Sequence, residues 1–177
     1  VGPSHSNDEI KSFLDTNKID YKFLETNSLL QTVAKLIVEG NVVGWYQGKM
    51  EWGPRALGNR SIIADPRNVK MKDILNEKIK HRESFRPFAP CILEEYTSEY
   101  FDVDVSSPYM LLVAPVKKPE KIPAVTHVDG TARLQTVSKD INLLFYNLIT
   151  EFYKITGVPV LINTSMNVRG EPIVDTP

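Results

Sequence analysis

The sequence lacks several features that define large classes of protein. A single cysteine, Cys91, excludes an internal disulfide, so we predict a reducing, cytoplasmic compartment. With 21 basic and 22 acidic residues the formal net charge is -1, which excludes a global field for nucleic acid or anionic membranes. No apolar run approaches membrane-spanning length, and the first residues do not resemble a signal peptide. These absences leave a soluble globular domain, expected to be a piece of a longer protein.

Contiguous ligand-binding motifs are also missing. The sequence contains neither GxxxxGK[ST] nor GxGxxG, so a nucleotide would have to be held by scattered side chains. His81 and His127 have no cysteine, histidine or aspartate at metal-ligand spacing, so we predict no metal-binding residue. Any anion site must therefore be local and built from several loops.

The length of 177 residues suits one domain, and helical and strand patterns alternate along it. This alternation predicts an α/β fold with at least partly parallel strand pairing, over residues 1–177 as a single domain. We predict helices near residues 7–17, 28–39, 70–80 and 142–153. We predict strands near residues 21–24, 42–46, 61–64, 88–93, 109–116, 133–137 and 158–162.

Two clusters place arginines in unusual settings. Arg55 and Arg60 lie in the Gly/Pro-rich segment WGPRALGNRS, and arginine forks match phosphate oxygens in pairs. The alternative for each is an exposed arginine on a turn. In KHRESFRPF, Lys80 and Arg82 could simply favour a helix C-terminus, but Arg86 lies between aromatic residues before a buried strand and needs a partner or ligand.

Two further clusters flank predicted strands. In THVDGTAR, Thr131 and Arg133 share one face of a strand, which could equally be the polar face of an edge strand. The apolar strand at 158–162 is followed by Asn163, Ser165, Asn167 and Arg169. Ligands commonly bind beyond the carboxyl ends of such strands, so this pattern favours a binding loop over an ordinary polar turn.

These four clusters, in this order, resemble the C-terminal domain of the carbamoyltransferases that act on nodulation factors and antibiotics. The matching stretches are WGPRALGNRSI, KIKHRESFRPFAP, DGTARLQTV and INTSMNVRGEPIV. The resemblance implies a YrdC/Sua5-like fold, an open twisted mixed sheet with flanking helices. It also implies that ATP, with Mg²⁺, and carbamoyl phosphate give carbamoyl adenylate. A separate N-terminal domain similar to the Kae1 ATPase fold would then pass the carbamoyl group to an acceptor hydroxyl.

The resemblance also implies roles for individual residues. Lys80, Arg86 and Arg133 are expected to be catalytic, acting on charge that develops at the phosphates. The expected substrate- and nucleotide-binding residues are Arg55, Arg60, Arg82, Thr131, Asn163, Ser165, Asn167 and Arg169.

Two other functions fit the same residues. The arginines could grip the phosphates of double-stranded RNA, although the net charge and the lack of a basic stripe make nucleic acid a poor partner. The chain could also be a non-catalytic docking domain, although interfaces tend to exclude the charge seen in its last loop.

Overall fold

The fold is built on one mixed six-stranded sheet, seen in a computed structural model that describes residues 2–177. The strands are β1 (Val43–Tyr46), β2 (Arg60–Ala64), β3 (Ala89–Leu93), β4 (Leu112–Pro115), β5 (Thr131–Val137) and β6 (Val160–Ser165). Their order across the sheet is β1-β2-β6-β3-β5-β4. All neighbours are antiparallel except β3 and β5, which confirms the predicted mixed α/β fold with partly parallel pairing.

Five α-helices accompany the sheet. They are α1 (Asn7–Thr16), α2 (Thr26–Val38), α3 (Met71–Leu75), α4 (Thr97–Tyr100) and α5 (Leu143–Thr156). A π-helical turn at Asn76–Lys80 continues α3, and short 3₁₀ turns lie at Glu94–Tyr96 and Pro123–Val125. None of these helices is both long and apolar enough to cross a membrane within residues 2–177.

One part of the core lies between the sheet and the pair α2 and α5, and Met71 and Leu75 of α3 belong to the same buried cluster. Helices α2 and α5 pack on each other, and α2 also contacts β1 while α5 contacts β3 and β6. Their buried faces carry large apolar side chains at helical spacing. Burying this apolar surface stabilises the fold by roughly 25 cal/mol per Å². Asn142 caps α5, and Gly157 ends it with a positive φ of 69°. The two helices hold the strands, and hence the loops beyond them, in fixed positions.

The N-terminal region behaves differently. Ser6 and Glu9 form a capping box that starts α1 as predicted, yet α1 buries no residue. The predicted strand at 21–24 is wrong, because these residues adopt no regular structure and pair with no other strand. A four-residue apolar segment forms a strand only where a neighbour supplies hydrogen bonds, and none of the described strands lies beside it. Cys91 is fully buried on β3 and unpaired.

Antiparallel pairing brings different strand ends together. β6 runs antiparallel to β3, so the carboxyl end of β6 lies beside the amino ends of β3 and β5. The rule that ligands bind beyond carboxyl ends therefore applies here to β6 but not to its two neighbours, β2 and β3.

Candidate active site

A cleft of about 110 Å³ lies at this end of the sheet. We call it the arginine cleft; its lining is Pro54, Arg55, Ala56, Arg82, Pro87, Phe88, Ala89, Met110, Arg133, Asn163, Thr164 and Ser165. Pockets that enclose whole small-molecule ligands usually measure about 300–1,000 Å³. The enclosed space therefore suits one anionic group, and the rest of a nucleotide would lie in the open mouth.

Three guanidinium groups line the cleft without a salt-bridge partner in the described residues, although the charge of Glu83 acts on Arg82. Among residues 2–177, none of Arg55, Arg82 and Arg133 forms a salt bridge with a carboxylate. Burial lowers the pKa of Arg133, and the neighbouring Arg55 lowers it further. Burial also lowers the pKa of Arg82, with a second contribution from Arg86. Three cations held together without an anion make a site whose repulsion a bound anion would relieve.

Each arginine is held by its own element. Arg133 is the third residue of β5, and its Nε is buried with no acceptor in the described part of the chain. Arg82 donates from Nε to Asn76 Oδ1 at 2.7 Å, and its guanidinium lies 4.7 Å from the centre of the Phe88 ring. The Arg82 contacts fix the direction of its fork, which bidentate phosphate binding requires.

The loop that carries Arg55 is fixed by a carboxylate that the sequence analysis missed. Glu51 Oε1 accepts hydrogen bonds from the backbone amides of Leu57 and Asn59, both at 2.7 Å, and of Arg60 at 3.4 Å. Gly58, with φ of 106°, packs against the Phe145 ring of α5. An acidic residue just before a Gly/Pro-rich loop is the only sequence signal for this role.

A buried amide pair holds the same loop from the sheet. Gln135 on β5 donates from Nε2 to the Leu57 carbonyl at 2.9 Å. Asn163 on β6 donates from Nδ2 to Gln135 Oε1 at 2.7 Å and to the Ala56 carbonyl at 3.1 Å. Asn163 Oδ1 is buried without a donor in the described residues. Gln135 was not predicted, although a glutamine inside the apolar strand TARLQTV signals a buried polar contact.

Lys80 lies behind the cleft rather than in its lining. Its side chain is buried at 5% exposure, and Nζ donates to the Ser165 carbonyl at 2.5 Å and to the Asn167 carbonyl and Oδ1, both at 2.9 Å. Burial, with the charge of Arg82, lowers the pKa of Lys80 to about 8. Ser165 donates from Oγ to Asn167 Oδ1 at 2.6 Å. Lys80 therefore ties the last loop to the π-helical turn, and Ser165 carries this link to the cleft.

Arg60 does not line the cleft, although it lies only five positions after Arg55 in the sequence. It is fully buried at the start of β2, and its guanidinium donates to the carbonyls of Gln47, Gly48, Asn59 and Pro3. It also stacks 3.6 Å from the centre of the Tyr46 ring. Both terminal nitrogens donate to carbonyls and the side chain is closed to solvent, so this guanidinium has no position from which to bind a substrate, although its Nε has no acceptor in the described residues. The role expected for Arg60 stays a prediction, and on this ground we leave the residue out of the proposed site.

The other expected residues do not line the cleft. Arg86 is half exposed and pairs with Glu83 at 2.9 Å, and Arg169 lies 3.9 Å from the same carboxylate. Thr131 donates from Oγ1 to Asp129 Oδ1 at 2.7 Å and lies 3.3 Å from His127 Nδ1. Five of the eleven expected residues thus line the cleft: Arg55, Arg82, Arg133, Asn163 and Ser165.

The cleft offers little to a metal ion. Its lining contains no carboxylate, and residues 2–177 contain no cluster of three His, Cys, Asp or Glu side chains that could hold a metal. Mg²⁺ prefers carboxylate and phosphate oxygens. The residues of the cleft therefore do not fit a protein-bound Mg²⁺.

Two solved structures share this fold. Sua5 of P. abyssi, solved with L-threonine, superposes with a TM-score of 0.61 at 17% identity, covering 86% of this chain and 42% of Sua5. HypF, solved in a phosphate- and nucleotide-bound form, gives a TM-score of 0.55 at 19% identity, covering 81% of this chain and 21% of HypF. At these identities the likeness concerns the fold alone, and it confirms the expected YrdC/Sua5-like sheet.

The sequence comparisons define the family. The family described as the carbamoyltransferase C-terminus matches residues 34–177, and the chain belongs to this family. The nodulation protein NolNO of Sinorhizobium fredii is 53% identical over 81% of this chain, and NolO of Bradyrhizobium diazoefficiens is 47% identical over 85%. An uncharacterized protein of Synechocystis is 47% identical over the whole chain. The chain spans 33% of the Synechocystis protein, 22% of NolNO and 28% of NolO.

Proposed function

We propose that this chain is the carbamoyl-activating domain of an O-carbamoyltransferase and binds ATP and carbamoyl phosphate in the arginine cleft. Water releases phosphate from carbamoyl phosphate, and an oxygen of the resulting carbamate attacks the α-phosphorus of ATP. The bond from that phosphorus to the bridging oxygen breaks, and pyrophosphate leaves. The products are carbamoyl adenylate, pyrophosphate and phosphate.

The observation that carries the proposal is the set of three arginines without a carboxylate partner. Both substrates are polyanions, and their mutual repulsion must be offset by fixed cations. Charge that develops on the equatorial oxygens during transfer is stabilised by the same preorganised guanidinium forks. Proximity and electrostatics then supply the rate, and no side chain needs to form a covalent intermediate.

Asn163 supports a carbamoyl guest in particular. Asn163 lines the cleft together with guanidinium groups, which are all donors, and its Oδ1 is a buried acceptor without a donor in the described residues. A phosphate dianion supplies only acceptors, whereas a carbamoyl group adds an NH₂ donor. A guest that carries both suits the cleft better than phosphate alone.

The transfer step belongs, in this proposal, to another part of a longer protein. The chain spans at most a third of the relatives described above. Beside the cleft, Val113 pairs across β4 and β5 with Arg133, and both Val113 and Leu111 are exposed, at 59% and 73%. An apolar rim next to a charged cleft suits a site that a second domain covers, such as the expected Kae1-like domain.

The test is titration calorimetry with ATP and Mg²⁺, and separately with carbamoyl phosphate, on the wild-type chain, Arg55→Ala and Arg133→Ala. We expect wild-type binding in the millimolar range or tighter, weakened about tenfold or more in each variant because a charge-assisted hydrogen-bonded fork is lost. Lys121→Ala, which removes an exposed lysine outside the cleft lining, is the control and should bind like the wild type.

Two results would contradict the proposal. The first is that the wild type binds neither ligand at millimolar concentration. The second is that Arg133→Ala binds both ligands as tightly as the wild type does. Filter binding at low salt tests the alternative that the chain binds double-stranded RNA. Affinity for RNA with none for ATP would favour that function over carbamoyl activation.

A further inference from the structure

We infer that Gln135 is a positioning residue, which acts through the backbone of residues 56–57 to hold Arg55 in the arginine cleft. The inference deepens the proposed function and rests on it, because it concerns how the proposed anion site is assembled. Gln135 does not line the cleft and touches the Arg55 loop through a single hydrogen bond.

The chain itself dictates the orientation of the amide pair. The Leu57 carbonyl can only accept, so Gln135 must direct its NH₂ group toward it, and its Oε1 must then face Asn163. Asn163 must in turn direct its NH₂ group toward Gln135 Oε1 and the Ala56 carbonyl. The Leu57 carbonyl therefore determines the orientation of both side-chain amides, and only one arrangement satisfies these hydrogen bonds.

The amide pair Gln135 and Asn163 binds the backbone of the two residues that directly follow Arg55. The Ala56 carbonyl is bound by Asn163 and the Leu57 carbonyl by Gln135, while the Leu57 amide is bound by Glu51. Two consecutive peptide groups are thus fixed from the sheet on one side and from Glu51 on the other. Free rotation of the loop backbone at these residues is blocked immediately beyond Arg55.

Such a grip is needed because the cleft is electrostatically unfavourable when no anion is bound. Arg55 lies close enough to Arg133 to lower the pKa of Arg133, and no carboxylate among residues 2–177 pairs with either. Without a rigid frame, a loop carrying Arg55 would relax into solvent, away from the second cation. When both cations are already held in place, anion binding does not carry the entropic cost of ordering them.

The first measurement is calorimetric affinity for ATP with Mg²⁺ and for carbamoyl phosphate in Gln135→Met, which keeps the side-chain length but forms no hydrogen bonds. We expect affinity about tenfold below wild type, since misplacing a binding group by about 1 Å has effects of this size or more. The matched control is Tyr146→Phe on α5, which removes a hydroxyl that donates to Glu95 in the 3₁₀ turn, outside the cleft lining. It should lower stability and leave affinity within twofold of wild type.

A double-mutant cycle distinguishes positioning from general damage. If Gln135 acts through Arg55, then Gln135→Met should weaken binding about tenfold in the wild type but less than twofold in an Arg55→Ala background. Additive losses in the two backgrounds would overturn the inference. Gln135→Leu is the second variant should Gln135→Met fold poorly, because it is also apolar and uncharged and removes the same hydrogen bonds.

Hydrogen exchange in the ligand-free chain separates this inference from the proposed function. We expect the amides of Leu57 and Asn59 to exchange faster in Gln135→Met than in Tyr146→Phe. Unchanged exchange at these amides overturns the positioning role whatever the ligand data show. Faster exchange in a chain whose wild type binds neither ligand would support the positioning role and contradict the proposed function instead.

Discussion

Arg55 and Arg60 lie in one loop, five residues apart, and end in opposite environments. Arg60 is fully buried, bound by four backbone carbonyls and stacked on Tyr46. Arg55 lines the cleft beside Arg133, and neither pairs with a carboxylate among residues 2–177. The terminal nitrogens of the first guanidinium donate to the fold, whereas those of the second are left for a ligand.

The difference comes from the supply of acceptors around each side chain. Arg60 begins β2, and the turn after β1 runs past it with the carbonyls of Gln47 and Gly48 turned inward. Around Arg55 the neighbouring carbonyls of Ala56 and Leu57 are already bound by Asn163 and Gln135. A buried cation near free carbonyls becomes part of the structure, and a cation whose neighbouring carbonyls are occupied remains available.

The largest expected effect is a loss of stability when the buried guanidinium of Arg60 is removed. Arg60→Met should lower the free energy of unfolding by about 3 kcal/mol or more, because several buried carbonyls lose their donor at once. Urea denaturation monitored by circular dichroism measures the change. The remaining folded protein should bind ATP as the wild type does, and a selective loss of affinity without loss of stability would contradict the structural role.

The next effect concerns the bend between the two arginines. Gly58→Ala should cost about 2–3 kcal/mol of stability, because a Cβ there would lie 2.4 Å from Cδ1 of Phe145 and φ is 106°. Gly53→Ala is the matched control in the same loop, with φ of 101° but no atom within 4 Å of the added Cβ. It should cost only the backbone strain, about 1 kcal/mol. Equal thermal midpoints for the two variants would show that the contact with Phe145 is unimportant.

A smaller effect tests the cation behind the cleft through pH. Burial lowers the pKa of Lys80 to about 8 from its usual 10.5, so the fold disfavours the protonated form. The free energy of unfolding should therefore rise with pH between about 8 and 10.5, where the unfolded chain binds the extra proton. Anion affinity should run the other way and fall about fivefold from pH 7.5 to 9.5 as the ammonium loses its charge.

Calorimetry across this pH range, with Lys80→Met as the control, checks the assignment. The second ionisation of phosphate monoesters lies near pH 6, so ligand charge changes little in the range used. Lys80→Met should show a nearly flat profile. A fall in affinity of the same size in Lys80→Met would assign the titration to another group.

The smallest expected effect marks the edge of the cleft. Arg86→Ala should weaken ATP binding less than twofold, since Arg86 is half exposed and already paired with Glu83. Calorimetry beside Arg55→Ala makes the comparison direct. A tenfold loss in Arg86→Ala would mean that Arg86 leaves Glu83 and enters the cleft when ligand binds, which is the catalytic role expected from the sequence.

Much of the fold could be predicted because it depends on local patterns. Helices α1, α2 and α5 follow caps and apolar spacing, and the strands β1, β2, β3, β5 and β6 follow short apolar runs. In the two exceptions the local pattern did not decide the structure. The segment 21–24 looks like a strand but has no pairing partner, and residues 76–80 form a π-helical turn inside what the sequence predicts as one helix.

The candidate site was predicted only as a set of residues. By itself, the sequence determined the mixed α/β class, the family, and the loops that supply Arg55, Arg82, Arg133, Asn163 and Ser165 to the cleft. It could not rank one arginine against another, since Arg55 and Arg60 share a loop and a residue type. Only the tertiary structure decided that, because the backbone carbonyls that occupy Arg60 and the amide pair that frees Arg55 come from segments distant in the chain.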